Sequence, residues 1–205
     1  MSFIYTSAFV ESGLTYAQYK QHMVDTLAAP PADENAAKLL PRVQENLYFM
    51  NLYDQIYTLT ESLKQAVNDS PASTWVVISE GWCTDAAFNL PVIAAIADAM
   101  PQKVTLRIFL RDSNLELIDA NLTDGGRSIP KLIILDGDLQ EIAKWGPRPA
   151  ALHARVKAWR EEGMSMNLVI PKMQVWYDSD SATSFQQEME MVLAAVTELH
   201  GSLQD

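Results

Sequence analysis

The spacing of apolar residues changes near position 70. Before it, Val43, Leu47, Met50, Tyr53, Ile56, Leu59, Leu63 and Val67 recur at three- and four-residue steps. That spacing predicts one long helical stripe, kinked or restarted at Pro41. Thr15 is placed to cap an earlier helix reaching about Ala28, which Pro30-Pro31 stops, and Asp33 caps the next. Beyond the breaker Asn68-Asp69-Ser70-Pro71, short apolar runs alternate with amphipathic ones. Strands are expected at Trp75–Ile78, Val104–Leu110, Lys131–Leu135 and Glu141–Trp145. Helices are expected at Ala86–Met100, Asn114–Leu122 and Pro149–Glu162. The order is βαβαββα. Its first βαβ implies parallel strands with a right-handed crossover, and the Asp136-Gly137-Asp138 turn implies an antiparallel pair. Residues 163–205 read as a loop and one amphipathic helix from about Thr183, with Phe185, Met189, Val192, Val196 and Leu199 on its face.

The chain therefore divides into a helical N-terminal extension (1–70) packed on the core, an α/β core (71–163) and a C-terminal loop and helix (164–205). Core packing is the expected role of the Val43 to Val67 stripe, because an exposed stripe of that length invites aggregation.

Chemistry concentrates in one stretch. The apolar run Trp75-Val76-Val77-Ile78 ends in the turn Ser79-Glu80-Gly81-Trp82, followed by the chain's single cysteine, Cys83, at the start of an alanine-rich helix. Unpaired N–H groups and the positive end of the helix dipole favour a thiolate there. A lone cysteine is also a small hydrophobe that packs well in a core. Asp85 cuts both ways: a carboxylate in a first helical turn is stabilising, yet beside Cys83 it opposes a thiolate. The balance predicts a moderately depressed thiol pKa.

Glu80-Gly81-Trp82-Cys83, leading into a helix with Pro91 eight residues after the cysteine, resembles the active-site segment of thioredoxin. Arg127-Ser128-Ile129-Pro130-Lys131-Leu132 is similar to that family's Arg-Gly-Ile-Pro-Thr-Leu segment. The resemblance implies a thioredoxin-like fold with a four-stranded mixed sheet, and a cis Pro130 lying against Cys83. Ile129 and Pro130 would then dock a partner, with Trp82 and Trp145 completing an apolar collar. Gly146 would allow close backbone approach and Arg148 would bring a positive charge to the rim. Arg127 and Arg148 would either hold a carboxylate such as glutathione's or solubilise the rim. One departure is decisive. Ala86 stands where the second cysteine of Cys-x-x-Cys belongs, and Val77 where the buried acid serving that thiol belongs. Dithiol chemistry within this chain is excluded.

The expected activity is monothiol exchange at Cys83, forming a mixed disulfide with a disulfide- or thiol-bearing protein or a small thiol. An external thiol, glutathione or another, would resolve it. The alternative is a non-redox module that keeps the fold's peptide groove.

Composition narrows the remaining classes. A formal charge of −11 over 205 residues argues against nucleic-acid partners. With 48% hydrophobic and 20% charged residues the sequence is that of a globular protein. No long apolar run or basic leader is present, so no membrane partner and a cytoplasmic location are expected. His22, His153 and His200 are too scattered to suggest a metal site, and no phosphate-binding glycine loop opens a helix. The sequence leaves the oligomeric state open.

Overall fold

A computed structural model describes residues 3–202. Its centre is a sheet of β1 (Ser73–Ser79), β2 (Val104–Leu110), β3 (Lys131–Leu135) and β4 (Glu141–Trp145), in spatial order β2-β1-β3-β4. β1 and β2 are parallel, while β1–β3 and β3–β4 are antiparallel. The registers Val77↔Ile108 and Val77↔Leu132 join fully buried side chains, so β1 is covered on both faces. That explains its continuous apolar run in place of an alternating one. The sheet is mixed and four-stranded, as expected.

Helix α5 (Thr84–Ala99) crosses from β1 to β2. Nearly every residue from Thr84 to Ala97 is buried, with Pro91 inside the helix. Such a helix needs cover on several sides. The N-terminal extension supplies part of it through α1 (Ser7–Ser12), α2 (Tyr16–Ala28), α3 (Glu34–Ile56) and α4 (Glu61–Asp69). α3 lies along α5, α2 packs on α3 and β2, and α4 packs on α9 (Thr183–Ser202). Thr15 forms a complete capping box with Gln18, and the Asp33 side chain accepts from the Ala36 N–H.

Three expectations need correction. The Val43 to Val67 stripe is not one helix: α3 ends at Ile56, and Thr60 caps α4 through the Leu63 N–H. The stripe still faces inward, because α4 resumes with Leu63 and Val67 fully buried. Pro41 neither ends nor restarts α3, whose ladder forgoes one hydrogen bond and continues. The largest miss is α8 (Met166–Asp180), between α7 (Ala150–Glu161) and α9, where a loop was expected. Pro171 and the Asp178-Ser179-Asp180-Ser181 cluster suggest loop chemistry, but Val169, Met173 and Tyr177 at four-residue steps form a buried stripe. Between β2 and β3, α6 is only Leu115–Asp119, shorter than expected. The turn Thr123–Gly126 follows it, with Asp124 and Gly125 both at positive φ.

Candidate functional site

Cys83 is the N-cap residue of α5, delivered by a turn in which its N–H donates to the Glu80 carbonyl at 2.9 Å. The backbone N–H groups of Asp85 and Ala86 point toward its sulfur. The thiol itself donates to the carbonyl oxygen of Ile129, 3.1 Å away. The Ile129–Pro130 bond is cis, as the resemblance implies. The two sequence motifs therefore meet at this contact.

The turn is supported from behind by the N-terminal extension. Asn46 Nδ2 donates to the Gly81 carbonyl at 2.9 Å, and the Tyr19 hydroxyl pairs with Ser79 Oγ at 3.1 Å. A Cβ at Gly81 would come within 3.0 Å of Met23 Cγ, which is why α2 can sit so close. On the open side, the Arg111 guanidinium lies 4.7 Å from the centre of the Trp82 ring.

Asp85 has a role the sequence did not suggest. Its carboxylate accepts from Arg148 Nε at 3.0 Å and from Arg148 Nη2 at 2.6 Å, and from the Tyr177 hydroxyl of α8 at 2.7 Å. Asn89 Nδ2 donates to that same hydroxyl at 2.9 Å and to the Asp85 carbonyl at 2.7 Å. Tyr177 also stacks on Phe88, with ring centres 4.4 Å apart and planes 6° from parallel. Asp85 thus ties together α5, the loop after β4, and α8. The same helix α8 contributes Met166, Ile170 and Met173 to the wall of the cleft over Cys83, a space of about 460 Å³.

These surroundings reverse the expected direction of the thiol pKa. Burial, followed by the negative charge of Asp85, pushes Cys83 up to about 12. The Ala86 and Asp85 N–H groups and Arg148 pull the other way and lose. Burial also raises the pKa of Asp85 itself, against the opposing pull of Arg148 and Tyr177.

Several collar assignments change as well. Trp82, Ile129, Arg127 and Arg148 do line the cleft with Cys83. Trp145 does not. It is buried under α9, edge-on to Phe185, and its Nε1 donates to Glu188 at 2.7 Å. Together with Gly146 it borders a neighbouring hollow that holds His153 and Lys157. Gly146 does permit a close approach, but by the chain itself: at φ +114°, its Cβ would lie 2.3 Å from the Pro130 carbonyl oxygen. The peptide bond between Gly146 and Pro147 is also cis. Arg127 and Arg148 are not a ready carboxylate clamp. Arg127 is bidentate on Asp119 at 2.6 and 2.7 Å, and Arg148 is committed to Asp85.

Asn89, Tyr177 and the α8 wall were missed from sequence. Asn89 carried a readable signal, as a lone amide four residues after Asp85 in an otherwise apolar helix. Tyr177 lies 92 positions from Asp85, and only tertiary structure joins them. Among the described residues there is no group of three or more His, Cys, Asp or Glu side chains able to hold a metal ion. Nor is any helix there long and apolar enough to cross a membrane.

Two solved structures share this architecture over nearly the whole chain. One is a protein of unknown function from Pseudomonas aeruginosa, 17% identical, with a TM-score of 0.54, covering 97% of this chain and 99% of its own. The other is an HIV epitope-scaffold, 16% identical at the same TM-score and the same coverage of both chains. At these identities the likeness concerns fold alone. No curated protein matches the chain. A family model described as thioredoxin matches residues 33–160, from the start of α3 to the end of α7. The chain belongs to the thioredoxin family.

Proposed function

We propose that this protein is a single-thiol exchange protein acting through Cys83. The observation that carries the reading is the contact between the Cys83 thiol and the Ile129 carbonyl at the floor of the α8 cleft. It sets the sulfur at a helix N-terminus, beside the Ile129–Pro130 edge, with room above it for a small or extended substrate. In the reaction, Cys83 loses its proton and its sulfur attacks one sulfur of a disulfide. A new S–S bond forms, the old one breaks, and the departing thiolate takes up a proton. The exchange is redox-neutral. Ala86 cannot attack the new bond from within, so the adduct waits for an external thiol such as glutathione. Ile129, Pro130 and Trp82 contact the incoming group, and Arg127 sits at the rim, its charge shared with Asp119.

A specific observation favours the second reading, a non-redox binding module: burial and Asp85 hold the thiol protonated. The two readings separate on exposure to an aromatic disulfide, 5,5′-dithiobis(2-nitrobenzoate), at pH 8 to 9. The exchange reading expects one coloured thiolate released per chain, an adduct on Cys83 by mass, and its loss on adding glutathione. Cys83→Ser should release none. No release from the folded natural protein over hours would leave the binding module standing.

A further inference from the structure

Resting on that reading, we infer that Tyr177 is a positioning residue for Cys83, acting through Asp85 and holding α8 across the cleft. The side chain has three attachments, and each has a separate consequence. Its hydroxyl donates to Asp85 Oδ1 at 2.7 Å, so the carboxylate beside the thiol is steadied by a residue from another element. That hydroxyl is itself held by Asn89 at 2.9 Å, and the ring stacks on Phe88. The helix that bears it also carries Met166, Ile170 and Met173, which wall the cleft. Fixing Tyr177 on Asp85 therefore fixes the wall above the sulfur. Other charged and titratable groups face this centre from every side. Arg148 comes from the loop after β4 and Tyr19 from α2, while His153 of α7 acts on Asp85. Glu80 belongs to the turn that delivers Cys83, and Arg111 and Arg127 lie at the mouth. Among these, Tyr177 alone joins the acid beside the thiol to the helix that covers it.

Losing the hydroxyl unties α8 from Asp85, whose carboxylate stays paired with Arg148, so the thiol gains water. Burial is the largest cause that holds this thiol protonated, so relieving it raises the thiolate fraction at a given pH. A tyrosine that merely packed would, when changed to Phe, leave the pH profile of Cys83 where it was.

The test is the rate of Cys83 alkylation by iodoacetamide from pH 6 to 11 in the full chain. It compares the natural protein, Tyr177→Phe, Asp85→Asn and the double variant. Val175→Ala, exposed on the same helix at 69%, serves as the control. Tyr177→Phe should react about threefold faster at pH 7.5, with its profile displaced to lower pH by about one unit. In the Asp85→Asn background the same change should add little, and Val175→Ala should match the natural protein. A speed-up that persists undiminished to pH 11, no speed-up, or fully additive effects in the double variant would each overturn the inference. Should Tyr177→Phe not fold, Asn89→Ala removes the donor that steadies the hydroxyl, and an undisplaced profile from it overturns the inference too. The two claims fail separately. A displaced profile without any disulfide adduct sinks the exchange reading alone. Normal adduct formation with an undisplaced Tyr177→Phe profile sinks only this one.

Discussion

Cys83 Sγ lies 3.1 Å from the carbonyl oxygen of Ile129 and donates a hydrogen bond to it. A thiol that serves as a donor in a buried place is stabilised in its protonated form. Its pKa of about 12 agrees with that arrangement.

The first prediction follows from that value. A thiol with an ordinary pKa near 8.5 is about 3% ionised at pH 7, whereas one near 12 is ionised only at about the 10⁻⁵ level. The higher intrinsic nucleophilicity of the more basic thiolate recovers roughly half of the loss on a logarithmic scale. Cys83 should therefore be alkylated about a hundredfold more slowly than free cysteine at pH 7. Its rate should climb about tenfold per pH unit up to at least pH 10. A plateau below pH 9 would show that the helix N-terminus and Arg148 outweigh burial and Asp85.

Arg148 offers a stability test. Its guanidinium and the Asp85 carboxylate are both largely out of water, with side-chain exposures of 15% and 5%. Removing one partner of a buried pair strands the other charge. Arg148→Ala should lower unfolding free energy by about 3 kcal/mol in a urea titration. Arg127→Ala breaks an ion pair whose side chains are about half exposed and should leave the unfolding free energy nearly unchanged. Equal costs for the two variants would mean that Asp85 is solvated in solution.

Gly146 should tolerate no side chain. An added Cβ meets the Pro130 carbonyl oxygen at 2.3 Å, and φ of +114° lies where L-residues are strained. Gly146→Ala should cost roughly 2 kcal/mol or more, and should disturb Cys83 labelling by moving the Ile129–Pro130 segment. A variant of natural stability and reactivity would show that this loop gives way freely.

The N-terminal extension should not be dispensable. Asn46 holds Gly81, Tyr19 holds Ser79, and Met23 packs under the cysteine turn. Deleting residues 1–68 should lower solubility and melting temperature. A deletion that remains monomeric and equally stable would make the segment a detachable arm.

The sheet was legible because its strands obey local rules. Lys131–Leu135 and Glu141–Trp145 flank an Asp-Gly turn, and Val104–Leu110 follows a proline that closes α5. Each carries its signal in adjacent residues. Cys83 and the Ile129–Pro130 step were legible because each sits in a short motif. What could not be read is what those residues touch. Trp145 looked like a rim residue because it ends a strand near the site, but α9 covers it through Phe185 and Glu188. Helix α8 was hidden by Pro171, although the steps from Val169 to Met173 to Tyr177 announced a buried face. The direction of the thiol pKa failed for the same reason. Helix dipole and charge are local and readable, but the burial that outweighs them depends on α8 lying over the cleft.

The most direct test of single-thiol exchange is the lifetime of the Cys83 mixed disulfide. Natural protein and Ala86→Cys would each be loaded with the 2-nitro-5-thiobenzoate half of the aromatic disulfide, freed of reagent, and followed by mass without added thiol. In Ala86→Cys a second thiol lies within the first turn of the same helix and can attack at high effective concentration. That adduct should be released within minutes as an internal disulfide forms. The natural protein's adduct should persist for hours and disappear only when glutathione is added. Decay of the natural adduct at the rate of Ala86→Cys, or equal labelling of Cys83→Ser, would contradict the account.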